Sequence, residues 1–133
     1  MHIFGLIDAH DKYCFVISND TGNSMKVDLN KDSFIADIRN VMIERSVAFN
    51  VGDYIAVGVD EQSYTGMRIL YSFCVGISLA TDVQVVDISS LDFNISSSES
   101  IRDAAWKKIK NKQFVDLYNL QLNYISRFHS SIG

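Results

Sequence analysis

The sequence predicts an α/β domain built on a mixed sheet. Two apolar runs too short for helices, Tyr54–Val59 and Gln84–Ile88, flank the helix-length apolar segment Thr65–Ala80. This order is typical of two parallel strands joined by a helical crossover, because parallel strands are buried on both faces and read as continuous apolar runs. Three further strand-like runs precede this unit, and a turn rich in Asn, Asp and Gly joins two of them. An antiparallel unit is therefore expected ahead of the crossover.

The predicted elements follow one another in the order β-β-β-α-β-α-β, which gives a mixed five-stranded sheet with helices. The first three strands are His2–Ile7, Tyr13–Ser18 and Ser24–Leu29, and the last two of these form a hairpin. The first helix is expected to begin after Asp32, a suitable N-cap, and to run to about Ala48. Apolar residues recur there at three- and four-residue steps, as in an amphipathic helix.

The chain changes character after the second parallel strand. Residues 89–100 are rich in serine and predict a linker, after which Ser98 can cap a helix and a second apolar set begins at Phe114. We therefore divide the chain into an α/β lobe, residues 1–92, and a linker with an amphipathic helical tail, residues 93–133. The tail is expected to contain one or two helices that pack on the sheet or on a partner.

Charge is distributed unevenly between these two parts. Residues 1–98 carry six Lys or Arg and thirteen Asp or Glu, giving −7, whereas residues 99–133 carry six and three, giving +3, which together make the net −4 of the chain. An acidic body does not attract nucleic acid. A basic tail can contact phosphate, although a solvated helix face is the simpler interpretation.

The composition indicates an ordinary globular domain without a metal centre or a transmembrane helix. The 133 residues are 47% hydrophobic and 21% charged, and no apolar run reaches the roughly 18 residues that span a bilayer. Cys14 and Cys74 lie within apolar runs and are predicted to be buried, reduced thiols. Asp8 could offer a carboxylate to a metal, but a turn residue that caps the hairpin is the simpler interpretation. No catalytic triad or glycine-rich phosphate loop is recognisable.

The crossover helix Thr65–Ala80 is apolar on more than one side. One stripe contains Met67, Leu70, Tyr71, Cys74 and Ser78, and a second contains Ile69, Phe73, Gly76, Ile77 and Ala80. A helix on a sheet needs only one apolar stripe, so the second is either covered by other parts of the chain or binds a partner, which we favour. Gly66 and Gly76 would let another backbone approach closely. The loop before the helix is a poor phosphate site, because Asp60 and Glu61 would repel an anion.

Four segments of residues 1–92 match the pattern of one known family. They are Ile3–Asp8, Ile55–Gly58, Ser63–Ile69 with Gly76 and Ala80 behind it, and Val85–Leu91. With consistent spacing around the core Ser-Tyr-Thr-Gly-Met-Arg-Ile, they resemble the TsaB family, also called YeaZ. The resemblance implies a ribonuclease H-like (actin-like ATPase) fold. This chain would be a shortened, divergent form that has a single lobe and lacks the second.

The resemblance also implies a function within a complex. Members of the family are cytoplasmic, non-catalytic partners of TsaD, an ATPase-fold enzyme that makes threonylcarbamoyladenosine on tRNA, with the ATPase TsaE as a further subunit. Their two lobe helices pack against those of TsaD, or against each other in homodimers. The chain would then need no cofactor or metal. Outside the matched residues, the positive charge of residues 102–112 predicts a weak or indirect contact with tRNA. The implied partner interface contains Phe34, Ile38, Ser63, Thr65, Gly66, Arg68, Leu70, Phe73, Gly76 and Ile77.

The chain departs from the family pattern in three places. The Gly-Pro-Gly before the crossover helix is Asp60–Gln62 here, a small residue is replaced by Leu70, and the Asp-Thr-Ser after the first strand is Asp8–His10. The last change removes hydroxyls that hold phosphate in the active members of the fold. Two alternatives stay open. One is a nucleotide-dependent enzyme of the same fold with ATP and magnesium near Asp8, and the other is a homodimer without a TsaD partner.

Overall fold

The computed structural model describes residues 1–59, 64–89 and 91–116 and confirms the predicted α/β fold. Its elements are β1 (His2–Asp8), β2 (Tyr13–Asn19), β3 (Ser24–Leu29), α1 (Phe34–Glu44), β4 (Tyr54–Val59), α2 (Tyr64–Thr81), β5 (Gln84–Ser89) and α3 (Ser98–Lys110). The ends of every strand and of the crossover helix agree with the predictions to within one residue.

The five strands form one mixed sheet in the order β3-β2-β1-β4-β5. β2 pairs antiparallel with both β1 and β3, whereas β4 runs parallel to β1 and β5 runs parallel to β4. The central strand β1 therefore joins the antiparallel hairpin unit to the parallel crossover, as the element order predicts. Because β1 has neighbours on both sides and helices on both faces, it is buried from Ile3 onward.

Helices cover both faces of the sheet. On one face, α1 and α2 pack on alternate strand residues such as Phe4 and Leu6, and on the other face α3 packs on Ile3 and Ile7. The close fit of α3 depends on Gly5, since a Cβ atom there would lie 3.1 Å from Ile101 Cγ2. The serine-rich linker therefore leads to a helix that completes a three-layer core.

Two helix starts and one helix end differ from the predictions. Ser33, not Asp32, is the N-cap of α1, and Ser97, not Ser98, is the N-cap of α3. The Ser97 side chain accepts from the Ser100 amide at 3.1 Å, while the Ser98 hydroxyl lies 2.8 Å from the Ser24 hydroxyl of β3. α1 ends at Glu44 rather than Ala48, because Ser46 takes a φ of 55° and its amide turns back to the Ile43 carbonyl.

The chain after α3 returns to the edge of the sheet. Phe114 forms an isolated antiparallel bridge with Val86, and the Val115 amide donates to the Val85 carbonyl at 2.8 Å. Phe114 also stacks on Tyr54, with ring centroids 5.8 Å apart. The apolar set that begins at Phe114 thus starts as an extended segment that covers part of an open strand edge, not as the predicted helix. The rest of that predicted helix lies outside the described residues.

Candidate functional site

The outer side of α1 and α2 exposes large aliphatic side chains. The exposed fractions are 59% for Ile35, 65% for Ile43, 41% for Ile69 and 67% for Leu79. We call these four residues, together with Phe73, Gly76 and Ile77, the helical face. Phe73 links the two helices, since its ring meets that of Phe34 edge-on at 5.6 Å between centroids. The helical face is the candidate functional site, because exposed aliphatic residues gathered on one side of a domain mark an interaction surface.

Three of the predicted interface residues belong instead to the core. Phe34, Ile38 and Leu70 are buried between the helices and the sheet, where they pack with strand residues. The structure therefore corrects their assignment: they hold α1 and α2 on the sheet and cannot touch a partner directly. The apolar spacing had already placed Leu70 in the first stripe of α2, with Cys74 and Ser78, and that stripe is the one that faces the sheet. Leu70 entered the predicted interface through the family resemblance.

Three other predicted interface residues, Phe73, Gly76 and Ile77, lie at or near the outer surface of α2. Phe73 and Ile77 are half-buried, and Gly76 is exposed, with no atom within 4 Å of the position that a Cβ would take. Arg68 is half-buried. Thr65 and Gly66 lie in the first turn of α2, whereas Ser63 lies outside the described residues.

Sequence reasoning missed three members of this surface. Ile35 shares the three- and four-residue apolar spacing of α1, and neither Ile43 nor Leu79 belongs to a predicted stripe. On α1 the buried stripe is Phe34, Ile38 and Met42, at steps of four residues. Ile35 and Ile43 lie outside this stripe, and their position is the signal that could have indicated an outer apolar surface.

Asp8 lies at the carboxyl end of β1, where ligands bind in many α/β folds. Its buried carboxylate accepts from the His10 amide at 3.0 Å through Oδ1, which confirms that it caps the hairpin turn. Lys31 also reaches Oδ1 at 3.0 Å, and its ammonium group lies 5.1 Å from the centroid of the Tyr13 ring. Burial, followed by the nearby Asp8 charge, raises the pKa of the Tyr13 hydroxyl.

The described residues around Asp8 form no group of metal ligands. The second oxygen of Asp8, Oδ2, is buried and has no hydrogen-bond partner among the described residues, and a lysine already neutralises the carboxylate. Among all the residues that the structure describes, no three His, Cys, Asp or Glu side chains are grouped so that they could hold a metal ion.

The two cysteines are free and buried, as the sequence predicts. Burial raises the pKa of the Cys74 thiol to about 12, and burial also raises the pKa of Cys14. Near Cys74, the Tyr71 hydroxyl donates to the Asp87 carboxylate. The surrounding protein nonetheless raises the pKa of Asp87, since removal of water from the carboxyl group outweighs that hydrogen bond. Neither thiol is therefore a ready nucleophile at neutral pH.

The strand order, with an antiparallel unit beside a parallel crossover, defines a single lobe of the ribonuclease H-like fold. YeaZ from Pseudomonas aeruginosa matches it with a TM-score of 0.60 and 20% sequence identity over 70% of this chain and 47% of that chain. A crystal structure described as an uncharacterized protein with similarity to peptidase YEAZ from Pseudomonas aeruginosa matches with a TM-score of 0.59 and 21% sequence identity. That match covers 68% of this chain and 44% of the other.

These comparisons confirm the fold and the resemblance to YeaZ at the level of structure. This chain spans less than half the length of either matched structure. No protein-family model matches the sequence, and no curated protein does. The likeness therefore carries the fold, and the function is argued from the surfaces of this chain.

Proposed function

We propose that this chain is a non-catalytic partner subunit that docks through its helical face onto a TsaD-like enzyme in the threonylcarbamoyladenosine modification of tRNA. The single observation that carries the proposal is the exposure of four aliphatic side chains on α1 and α2, on the side of these helices that faces away from the core. Burial of each such side chain contributes roughly 1.5–3 kcal/mol when it is full. A partner that covers them would gain several kilocalories per mole from this surface alone.

The shape of the helical face supports a helix as the contacting element. Gly76 leaves open space on the outer side of α2, between Phe73 and Leu79. Packed helices lie about 8–10 Å apart, and the smallest separations need a residue without a side chain at the crossing point. A helix pair of an enzyme with the same fold is such a partner, which agrees with the mode of docking that the TsaB resemblance implies.

The state of Asp8 supports a non-catalytic subunit. In an enzyme of this fold that hydrolyses nucleotide, the carboxylate after the first strand would face magnesium and phosphate. Here it is neutralised by Lys31 and tied to the turn by the His10 amide.

The complex would include a TsaE-like ATPase and would act in the cytoplasm. Among the described residues, no helix has the length and apolarity to cross a bilayer.

Affinity for the TsaD-like subunit of the same organism, measured by gel filtration and calorimetry, tests the proposal. We choose Ile43→Asp on α1 and Leu79→Asp on α2, because both positions are exposed and the fold should tolerate them. Each is expected to weaken the complex by about ten- to a hundredfold, from the lost apolar burial. Leu91→Asp is the matched control, since Leu91 is 88% exposed and lies outside the helical face. Unchanged affinity for both variants, or no complex with the unmodified chain, would overturn the proposal.

A second candidate use of the same face is pairing with another copy of this chain. Apolar residues on both helices would serve a symmetric dimer equally well. Mass in solution as a function of concentration detects the dimer, and competition with the TsaD-like subunit decides which complex is preferred. Calorimetric titration with millimolar ATP and magnesium tests the nucleotide-enzyme alternative, for which no binding is expected while Lys31 occupies Asp8.

A further inference from the structure

The outer side of α3 carries an exposed tryptophan. Ile101, Ala105 and Ile109 bury the inner side of the helix against the sheet, whereas Trp106 is 39% exposed on the outer side. It is the single tryptophan of the chain. A partly exposed aromatic ring is a candidate contact for a ligand when the surrounding side chains offer complementary groups.

Lysines surround Trp106 on the carboxyl-terminal half of α3. Lys110 lies one helical turn after it on the same side, Lys107 lies next to it, and Lys112 follows the helix end; all three are exposed. In the described part of the chain, no carboxylate lies within 4.0 Å of any of the three ammonium groups. We call Trp106, Lys107, Lys110 and Lys112 the α3 patch.

We propose that the α3 patch binds single-stranded nucleic acid, with one base stacked on the Trp106 ring and the lysines on neighbouring phosphates. An exposed aromatic ring flanked by cations supplies the two elements of such sites, since base stacking contributes roughly 1–3 kcal/mol per base and lysines neutralise the backbone. Glu99 and Asp103 are exposed on the amino-terminal half of α3, where they repel phosphate, so the proposed contacts lie on the carboxyl-terminal half, toward Lys112.

Two other interpretations of the α3 patch account for less of it. Lysines at a helix carboxyl terminus also stabilise the helix dipole, but this does not explain an exposed indole among them. An anionic membrane would attract the lysines, yet a membrane-binding helix inserts a whole apolar face. The apolar face of α3 is buried on the sheet, and only Trp106 is left to insert. A polyanion whose bases stack is therefore the favoured ligand.

The α3 patch and the helical face lie on opposite faces of the sheet, so both can be occupied at once. Binding of nucleic acid does not rest on the proposed docking function, because it is tested on this chain alone. The overall net charge of −4 opposes polyanion binding at long range, so we expect weak and strongly salt-dependent affinity.

Fluorescence titration with a twelve-nucleotide oligouridylate tests the proposal at the site itself, since Trp106 is the sole tryptophan. Stacking is expected to quench its emission. With three phosphate contacts, the slope of log K against log salt should be about −2, because each contact to a single strand contributes about −0.7. K107A/K110A should bring this slope to about −0.7 and lower the affinity by about tenfold or more at 50 mM salt. The control R39A/R45A removes two exposed charges from the α1 side and should change the affinity by less than about twofold.

The stacking step is tested separately with Trp106→Ala and a fluorescein-labelled oligouridylate, read by anisotropy. Affinity should fall by about five- to a hundredfold, which is the range of a lost stacking contact. Circular dichroism checks that each variant is folded. Three results would overturn the proposal: no quenching by the oligonucleotide, an equal loss in the R39A/R45A control, or a blue shift with phosphatidylserine vesicles in the absence of any response to oligouridylate.

Discussion

The two helical layers of this domain have similar inner sides and different outer sides. α1 and α2 on one face, like α3 on the other, bury aliphatic residues against the same sheet. Outside, the first layer exposes isoleucines and Leu79, whereas α3 exposes Trp106 among lysines. The fold requires only the inner sides, because these exclude water from the core. The difference between the outer sides is the basis of the two proposals, an apolar partner for the first layer and a polyanion for α3.

The inner and outer sides of α2 differ most sharply between adjacent residues. Leu70 is fully buried, whereas Ile69 is 41% exposed. Leu70→Ala is expected to lower the free energy of unfolding by about 2–5 kcal/mol, through lost burial and a cavity in the core. Ile69→Ala should cost less than about 1 kcal/mol. Urea unfolding of the isolated chain measures both, and equal losses would show that α2 is not oriented as described.

The fit of α3 depends on a glycine in the central strand. A Cβ at position 5 would lie 3.1 Å from Ile101 Cγ2 and 3.2 Å from Val16 Cβ, both closer than ordinary contact. Gly5→Ala is therefore expected to destabilise the domain by about 1–3 kcal/mol, because α3 must move outward. The folded variant should keep α3 on the sheet, so Trp106 emission should still change when the variant unfolds. A variant as stable as the unmodified chain would contradict the close packing of this layer.

Gly76 offers the opposite case in the first layer. A Cβ there meets nothing within 4 Å, and alanine is the better helix former, so Gly76→Ala should stabilise the isolated domain by up to about 1 kcal/mol. The same methyl group should weaken docking of a partner helix, by about three- to tenfold, if that helix crosses α2 at this point. Thermal unfolding and calorimetry with the TsaD-like subunit separate the two effects. An increase in both stability and affinity for the TsaD-like subunit would show that Gly76 lies outside the contact.

Each layer also covers one cysteine, Cys74 in the first and Cys14 in the second. Burial raises the pKa of Cys74 to about 12, above the value near 9 of a free thiol, so the folded state keeps a proton that the unfolded state releases. This contribution to stability is complete below pH 9 and is lost as the pH rises from 9 toward 12. We expect the urea midpoint to fall over that range, and Cys74→Ala to fall less steeply. At pH 8, iodoacetamide should label both thiols only after unfolding.

Much of the fold could be predicted because the strands and the crossover helix differ clearly in length and pattern. Runs such as Tyr54–Val59 are too short for a helix, and the Asn/Asp/Gly turn after β2 forces a hairpin. The helix ends were less accurate. Ser46 ends α1 in a left-handed conformation, and the sequence has no glycine there to indicate it. Ser97 is the N-cap of α3, whereas the hydroxyl of Ser98 contacts that of Ser24 in β3.

The candidate site was predicted only in part. The second apolar stripe of α2 pointed to Phe73, Gly76 and Ile77, which lie near the outer surface, whereas Leu70 belongs to the first stripe and was added through the family resemblance. Periodicity shows which side chains share a side of a helix and says nothing about which side meets the sheet. On α1 a charged neighbour, Arg39, lies between the exposed isoleucines and obscured their alignment.

The sequence by itself determined the kinds of element, their order and the crossover, because these depend on local pattern and on the burial that parallel strands require. Only the tertiary structure decided which of the described side chains are exposed. Contacts between residues distant in the chain set them: Lys31 on Asp8, Ile101 over Gly5, and Phe114 beside Val86. Such contacts depend on how whole layers pack in three dimensions, so they determined where the helical face and the α3 patch lie.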